Sequence, residues 1–458
     1  MSIGKDTSRH NRNARHFYVL LVASYALITL SALALPASVQ ADERLPVPEA
    51  LKPGVEFWEK VFGEYDQDYV VYFDAYDWTK IYECHRVPPL SKNASAMQER
   101  EEIRYNYRDE IAAELEALAQ EDVDYFNLTG RPLRLFGIWN NSTDPEVYRR
   151  AAENIRTQKG NRETFHYGVA RAARYKDDFA RIFEEEGVPA TITYLPHIES
   201  SFRWNARSSV GAVGMWQFMS GTGKKYLRID EAVDERLNPY KAARASARFF
   251  RYLYDNLGSW PLAITAYNQG LQSMLDAQSQ IGSSDIDRVV AEYRGPRYKF
   301  AGRNFYVELL AARNVSERLL SSDDPGIEFD EPQPALDFTL PAYVKIQDLA
   351  KAFGVSRDQL YMHNLDFREP TRRGKEWIPK GLTIRVPMSI ESDPDRLFAS
   401  IPDEKQPLFK PQRSYKVRSG DSLGSIAGRF KTTVRTLQRM NGIKNPNHLR
   451  AGQVLKLP

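Results

Sequence analysis

The last part of this 458-residue chain contains an internal repeat, and this feature restricts its fold more than any other. Two segments, 349–364 and 426–441, match at a spacing of 77 positions, and the segments that close the copies, 381–387 and 452–458, are 71 positions apart. The first copy therefore has six extra residues in its last loop. Each copy has the pattern of a short helix, a turn, a second short helix and a strand, so we expect two small α+β modules. The repeated residues are Leu349, Ala350, Phe353, Leu360 and Asn364, which recur as Ile426, Ala427, Phe430, Leu437 and Asn441.

The modules are predicted at 335–388 and 414–458. Residues 389–413 between them are polar and contain proline, which is typical of a linker. Residues 326–341, rich in Pro and Asp, are predicted to be a second linker.

Residues 120–325 have helical patterns and few strand signals. Helices are predicted at 177–186, stopped by Gly187, and at 190–200, opened by Pro189. A further helix at 239–257 begins at a proline and ends before Gly258. The sequence therefore predicts a mainly α domain over 120–325.

Residues 42–119 are expected to be mostly helical with one small hairpin. The stretch from Tyr69 to Tyr82 is rich in aromatic and β-branched residues, which favours two short strands. Ile103, Ile111 and Leu115 recur at helical spacing further on.

The N-terminus has the composition of an export signal, predicted at 1–41. A basic leader with Lys5 and Arg15 precedes an uncharged apolar run over 17–36, and Val39-Gln40-Ala41 forms a small-residue cleavage site. We therefore expect an exported protein of the periplasm or cell envelope. The run is long enough that an uncleaved anchor, with membrane association, stays open as the alternative.

Charge and cysteine content restrict the partners. Residues 414–458 contain nine Lys or Arg and one acid, Asp421, which suits a polyanion. Cell wall and nucleic acid both qualify, and export favours wall, so no nucleic acid is expected; a solvated surface without a charged partner is the alternative. Cys84 is the only cysteine, which excludes an intrachain disulfide and favours an inert thiol. The seven histidines lack ligand spacing, so neither a metal nor a cofactor is expected.

Glu199 ends an apolar segment, and this setting suits a general acid. Cleavage of a glycosidic bond requires an acid for the leaving oxygen, and a carboxylic acid serves near neutral pH only when its pKa is raised. Burial among neighbours such as Ile192, Leu195 and Phe202 would raise the pKa, because it penalises the charged form. By itself Glu199 is one of sixty acidic residues, so its context has to carry the argument.

A Gly-Met-Trp-Gln element follows Glu199. Gly211 and Gly214 allow the backbone to approach a ligand, and Gln217 is suited to hydrogen-bond an amide such as an N-acetyl group. The simpler interpretation is that the glycines form turns.

Aromatic and polar residues near these glycines complete the candidate site. Trp216 and Tyr267 are candidates to stack on sugar faces, because aromatic rings are suited to such contacts. The alternative places Met215, Trp216 and Phe218 in the core, and Asn268 has the alternative role of a helix-end cap.

Three segments, in this order, resemble the signatures of lytic transglycosylases of glycoside hydrolase family 23. They are Glu199-Ser200, Gly214-Met-Trp-Gln217 and Ala266-Tyr-Asn-Gln-Gly270. The closest resemblance is to the membrane-bound lytic transglycosylase D subgroup, which carries C-terminal LysM repeats. It covers residues 170–290 and the tail well and 42–119 loosely. It implies a mainly α fold, with a goose-lysozyme-like helical catalytic domain and small βααβ LysM modules.

The resemblance also implies a mechanism with one carboxyl group. Glu199 would protonate the bond after N-acetylmuramic acid and then take the proton from that sugar's 6-hydroxyl, which closes a 1,6-anhydro ring without the second carboxylate of most glycosidases. Ser200 would orient Glu199, Gln217 would contact the sugar or its acetamido group, and Tyr267 would steady the acid and the ring. Met215 and Asn268 complete the expected substrate-binding set. Two departures from the family pattern are Met215-Trp216, where Leu-Met is usual, and Gln269, where a small residue is usual.

The tail from Tyr415 to Pro458 resembles a LysM module, a fold that binds N-acetylglucosamine-containing glycans. Peptidoglycan strands are the expected partner. The first copy has Ala342 to Lys345 in place of the Gly-Asp element before its first helix, and structural packing or weak binding are both open roles for it. The glycan-binding residues that the resemblance implies in the tail are Gly420, Asp421, Ser422, Leu423, Asn447 and Leu449.

Two other functions compete with the transglycosylase. A muramidase-type hydrolase on the same scaffold would need a second carboxylate, and the acids nearest in sequence are Asp230, Glu231, Asp234 and Glu235. A non-catalytic scaffold that binds peptidoglycan is the other alternative.

Overall fold

The structure is a computed structural model that describes residues 43–322, 326–390, 392–411 and 414–457. The predicted export signal at 1–41 lies outside these residues. From Pro48 onward the chain forms one compact unit, which is mainly α-helical with small antiparallel sheets, as the sequence predicts. Within the described ranges, no helix is both long enough and apolar enough to cross a membrane.

The N-terminal region contains the predicted hairpin. Strands β1 (Tyr69–Asp74) and β2 (Ile81–Arg86) are antiparallel, and β3 (Ile155–Lys159) pairs with the other edge of β1. Because β3 lies within 120–325, this sheet joins the two regions that the sequence analysis separated. The surrounding helices are α1 (Lys52–Gly63), α2 (Ala94–Leu118), α3 (Gly130–Ile138) and α4 (Pro145–Glu153), with 3-10 turns at Glu49–Leu51 and Tyr125–Asn127.

A buried asparagine fastens this region to the long helix α13 (Phe300–Leu320). The indole nitrogens of Trp58 and Trp78 both donate to the Asn304 Oδ1 atom, at 2.7 and 2.8 Å. Asn304 is fully buried, so the single amide oxygen satisfies two indole N–H groups that would otherwise lack a partner. Helix α1 consequently packs along α13.

The central helices begin and end largely where proline and glycine predict. The predicted helix at 239–257 is confirmed, with Asn238 as its N-cap and Gly258 in the left-handed conformation at its end. The predicted helix at 190–200 is instead a 3-10 turn (Ala190–Tyr194) followed by α7 (Pro196–Ser200). Pro196 explains the break, because it has no N–H to continue the hydrogen-bond ladder. The other helices are α5 (Arg162–Ala173), α6 (Lys176–Glu185), α8 (Ser220–Tyr226), α9 (Pro239–Leu257), α10 (Trp260–Gln269), α11 (Leu271–Ile281) and α12 (Ile286–Glu292), with a 3-10 turn at Glu235–Leu237.

The two repeat copies share one frame, which confirms the repeat. In the first copy, β4 (Ala335–Thr339) pairs with β5 (Thr383–Pro387) around α14 (Ile346–Ala352) and α15 (Arg357–His363). In the second, β6 (Ser414–Lys416) pairs with β7 (Val454–Lys456) around α18 (Leu423–Arg429) and α19 (Val434–Asn441).

An asparagine ties the second helix to the last strand in both copies. The Asn364 amide donates to the carbonyl oxygens of Leu360 and Arg385 and accepts from the Arg385 N–H. Asn441 makes the same three hydrogen bonds at positions 437 and 456. This repeated contact explains why asparagine recurs at a spacing of 77.

The segment predicted as a linker at 389–413 is partly structured. It contains α17 (Pro394–Ala399) and a 3-10 turn at Asp403–Lys405, and Phe398 and Ile401 are buried in the core of the first copy. The burial of these two apolar side chains explains why a mostly polar segment is ordered against the first copy. The extra loop of the first copy forms α16 (Glu369–Arg372), and the predicted linker at 326–341 contains β4.

Candidate active site

Glu199 lies on α7, a helix of little more than one turn. Pro196 opens this helix with a preset φ, and Ser201 closes it in the left-handed conformation with φ +51°. The Arg203 Nε atom donates to the Ser200 carbonyl at 3.0 Å, and Arg171 donates to the Ser201 carbonyl at 3.0 Å. These hydrogen bonds supply partners that so short a helix lacks at its C-terminus.

His197 anchors the same helix and plays no part in acid–base chemistry. Its ring is buried, stacks on Phe165 with centroids 4.7 Å apart, and lies 3.0 Å from the Ser316 hydroxyl through Nε2. Burial lowers the pKa of His197 to about 3, so the ring is neutral at neutral pH. The contact with Ser316 ties α7 to α13.

The Glu199 carboxyl group has the properties of a general acid. The side chain is half-buried, and burial raises its pKa to about 7. In the part of the chain that the structure describes, no hydrogen bond or ion pair to this carboxyl holds it in its charged form. At neutral pH the group is therefore divided between the protonated and ionised states.

Glu308 on α13 is a second carboxyl beside Glu199, and the sequence analysis missed it. It is half-buried, and burial, followed by the charge of Glu199, raises its pKa to about 8. It lies 109 positions after Glu199, outside every motif that the sequence analysis considered. The one available signal was its setting, since it is the single charge in the apolar run from Phe305 to Ala312.

The loop Gly214–Phe218 holds the remaining candidates, and side chains from three other elements fix its backbone. Ser200 donates to the Met215 carbonyl at 2.8 Å, the Tyr267 hydroxyl donates to the Trp216 carbonyl at 2.6 Å, and Arg236 donates to the Phe218 carbonyl at 3.3 Å. Irregular backbone needs such partners when it is buried. Ser200 and Tyr267 therefore act on this loop through hydrogen bonds.

Residues 181–290 match the family model described as "Transglycosylase SLT domain", and residues 415–458 match the LysM domain. The chain is also 25% identical over 319 residues to the membrane-bound lytic murein transglycosylase D of Escherichia coli K12, covering 67% of this chain and 69% of that protein. The chain therefore contains a transglycosylase SLT domain and a LysM domain, and it is an enzyme.

Two solved structures are also similar to parts of the chain. The lytic transglycosylase Slt of Pseudomonas aeruginosa is 18% identical with a TM-score of 0.27, covering 50% of this chain and 34% of that one. The 70 kDa soluble lytic transglycosylase of Escherichia coli is 16% identical with a TM-score of 0.27, covering 54% of this chain and 40% of that one. The chain thus spans about a third and two fifths of these larger proteins. The SLT match includes Glu199, Gln217 and Tyr267 and ends before Glu308.

Gln217 is the loop side chain placed to contact substrate. It is half-buried with φ +47°, and its Nε2 atom donates to the Gly214 carbonyl at 2.7 Å. Its Oε1 atom accepts no hydrogen bond from any described residue, so it is available to an amide N–H. This arrangement suits the N-acetyl contact that the sequence predicts.

Other predicted site residues of the SLT domain have different positions. Trp216 is fully buried and stacks on Phe183 with centroids 5.3 Å apart, so the prediction that it stacks on sugar is wrong. The Met215 side chain is 1% exposed and belongs to the core, which leaves only its carbonyl for the site. Asn268 is exposed in the last turn of α10 and makes no capping hydrogen bond. Tyr267 stacks on Phe250, and burial and the charge of Glu199 raise the pKa of its phenol.

The four acids named for a hydrolase are all paired with cations. Asp230 pairs with Arg228 at 2.6 Å, and Glu231 with Lys410 at 3.3 Å. Asp234 pairs with Arg236 at 2.9 Å, and Glu235 with Lys241 at 3.0 Å. A carboxylate held by a cation is a poor base, so Glu308 replaces them as the second carboxyl to consider.

The LysM domain presents some of the predicted glycan-binding residues and buries another. Ser422 caps α18, and Asp421 instead accepts hydrogen bonds from the Tyr415 hydroxyl at 2.6 Å and the Arg418 N–H at 2.8 Å. Gly420 has φ +85° and is exposed together with Asn447. Leu423 is 2% exposed and, with half-buried Leu449 packed beside it, belongs to the core, so the Leu423 side chain is unavailable to a glycan.

Gly214→Ala should disrupt the loop more than Gly211→Ala. Both glycines have left-handed φ values, +86° and +92°, so alanine is strained at either position. A Cβ at 214 would also lie 1.8 Å from the Arg236 carbonyl oxygen, whereas a Cβ at 211 meets nothing within 4 Å. Urea unfolding should show a loss of about 1 kcal/mol for Gly211→Ala and about 3 kcal/mol or more for Gly214→Ala. Equal losses for the two variants would contradict this account of the loop.

Glu199→Gln and Glu308→Gln should stabilise the protein at pH 8 relative to wild type. Both folded pKa values are above the unfolded value near 4.5. The contribution of these two groups to the free energy of unfolding is therefore fully present below pH 4.5 and is lost as the pH rises through 7 to 8. The amides remove this loss, which we expect to be about 1–2 kcal/mol for each half-buried group. Thermal unfolding at pH 5 and pH 8 checks this. A Tm difference from wild type that stays constant with pH would contradict it.

Proposed function

We propose that the chain is a peptidoglycan lytic transglycosylase of the cell envelope in which Glu199 is the general acid and then the base. The observation that carries this proposal is the pKa of Glu199, raised to about 7 by burial, with no described cation holding the carboxylate. A group with this pKa can give up a proton and take one back near neutral pH. The similarity to the murein transglycosylase supports the choice of substrate.

The proposed reaction needs one carboxyl group and no water. Glu199 donates its proton to the oxygen that joins C1 of N-acetylmuramic acid to C4 of N-acetylglucosamine, and the C1–O bond breaks. The Glu199 carboxylate then accepts the proton of the muramic acid 6-hydroxyl while O6 bonds to C1. Glu199 ends protonated, and the product has a 1,6-anhydro ring.

The Gly214–Phe218 loop positions the substrate in this proposal. The free Oε1 atom of Gln217 accepts the N–H of an acetamido group, while its Nε2 atom is held by Gly214. Asn268 is exposed, and in this proposal its side chain contacts the substrate at the edge of the site. Ser200 and Tyr267 act as positioning residues, because each donates a hydrogen bond to a carbonyl of the loop.

A hydrolase is the second candidate, because Glu308 supplies a second carboxyl near Glu199. In that reaction Glu308 would activate water as a base. With its pKa raised to about 8, Glu308 is mostly protonated at neutral pH, and a protonated carboxyl group is not basic enough to activate water. The transglycosylase is therefore favoured, with Glu308 neutral and Glu199 as the group of the pair that gives up and takes back the proton.

Digestion of purified peptidoglycan should give anhydro-ended products, and Glu199→Gln should reduce their formation by about 10³-fold or more, as expected when a general acid is removed. Glu308→Gln should change the rate while every product still has the anhydro end. Mass spectrometry separates the two ends by the mass of one water. Hydrated reducing ends from wild type, lost in Glu308→Gln, would favour the hydrolase instead.

Removal of residues 412–458 should abolish retention on insoluble peptidoglycan while cleavage of soluble glycan fragments continues. The LysM domain has its own hydrophobic core, separate from the core of the first copy, so the rest of the chain should remain folded. Retention of the full chain should also persist in 0.5 M salt if the groove rather than the basic charge holds the glycan. Retention lost in salt by the full chain would assign the binding to charge alone.

A further inference from the structure

The first repeat copy has a closed groove where a LysM domain has its glycan site. Val344 and Ile378 exchange two backbone hydrogen bonds, at 3.2 and 2.8 Å, between the loop after β4 and the loop before β5. The repeat offsets place Asp421 and Leu449 at these positions in the LysM domain, and no backbone hydrogen bond joins that pair among the described residues. Paired backbone occupies the space between the loops, so this groove of the first copy is not open to a sugar.

The extra loop of the first copy contacts the SLT domain instead. The Arg368 N–H and the Thr371 hydroxyl both donate to the Ala232 carbonyl, at 2.9 and 2.8 Å, and Val233 forms a β-bridge with Phe367. Ala232 and Val233 are buried within the hydrophobic core of the first copy. A segment of the SLT domain is therefore built into the core of the repeat copy.

Buried ion pairs reinforce this junction. Asp234 accepts two hydrogen bonds from Arg236, both at 2.9 Å, and Arg368 reaches the same carboxylate at 3.3 Å. Asp366 is fully buried and pairs with Lys241 at 2.8 Å. Breaking a buried pair leaves an uncompensated charge, so such pairs favour one relative arrangement of the two parts.

Arg236 connects this junction to the Gly214–Phe218 loop. Its guanidinium holds Asp234 with two nitrogens and donates to the Phe218 carbonyl with the third, at 3.3 Å. Its own carbonyl oxygen lies where a Cβ of Gly214 would be. Both ends of the Gly214–Phe218 loop thus contact Arg236, and Arg236 is held by Asp234 at the junction between the SLT domain and the first repeat copy.

We infer that the first repeat copy holds the Gly214–Phe218 loop in its conformation. Arg368 and Thr371 are positioning residues in this inference, and they act through Asp234 and Arg236. The inference rests on the proposed function of Glu199. It assigns to this copy the packing role that the sequence left open. Its contribution to catalysis is the conformation of Gln217 and of the backbone beside Glu199.

The test compares Thr371→Val and Arg368→Ala with Thr339→Val in the full chain. Thr339 is exposed in β4 of the same copy and shares its hydroxyl hydrogen bond only with Thr383, so it is a matched control remote from the junction. At a temperature where all variants are folded, kcat for anhydro-product release should fall by about 5- to 30-fold for the first two, with KM within about threefold. Arg368→Lys should recover part of the loss, and Thr339→Val should retain kcat.

Amide hydrogen exchange gives a readout that does not depend on activity. The N–H groups of Gly214, Gln217 and Phe218 are hydrogen-bonded within the loop region, so they should exchange faster in Thr371→Val and Arg368→Ala than in the control. Unchanged kcat and unchanged exchange, at any loss of Tm, would overturn the inference. If wild type forms no cleavage product, the proposed function fails. The exchange measurement alone then decides whether the first repeat copy holds the Gly214–Phe218 loop in place.

Discussion

The arrangement of the site depends on how the carbonyl groups of one irregular loop are satisfied. The Gly214–Phe218 loop has left-handed φ values at both Gly214 and Gln217, and its backbone pairs only at Phe218, in a single β-bridge with Val213 among the described residues. Its carbonyls at 215, 216 and 218 accept from Ser200, Tyr267 and Arg236. Three distant parts of the sequence therefore meet because each supplies a hydrogen bond that the same loop needs. Glu199 is placed indirectly, since Ser200 follows it on the same short helix.

Buried carboxyl groups in this molecule have two opposite kinds of environment. Around Asp234 and Asp366, every buried carboxylate has a guanidinium, an ammonium or an amide as its partner. Around Glu199 and Glu308, burial acts without such partners and raises both pKa values. The first arrangement favours a fixed structure and the second favours proton transfer. A carboxyl with an uncompensated burial cost needs a rigid surrounding, because a looser site would admit water and remove the pKa shift.

Sequence patterns predicted those features that depend on local chemistry. Proline and glycine located the ends of α9, aromatic residues located the β1–β2 hairpin, and the recurring asparagine located both repeat copies. The same patterns could not place Glu308, because only the packing of α13 against α7 brings it near Glu199. Trp216 was misplaced for a related reason, since an aromatic beside a glycine looks the same in sequence whether it faces a cleft or the core. The unusual Gln269 also depends on a tertiary contact: its side chain lies where a Cβ of Gly302 would be.

The two repeat copies show which parts of a small module are free to change its role. Both retain the asparagine that joins helix to strand and a buried apolar frame, and both of these stabilise the module from within. The copies differ in the loop before the first helix and in the loop before the last strand, where one has exposed Gly420 and half-buried Asp421 and the other has backbone pairing and six extra residues. Loops at the surface accept such changes with little effect on the frame. The two roles proposed for these modules, holding glycan and holding the Gly214–Phe218 loop, can therefore share one fold, because both are assigned to the loops in which the copies differ.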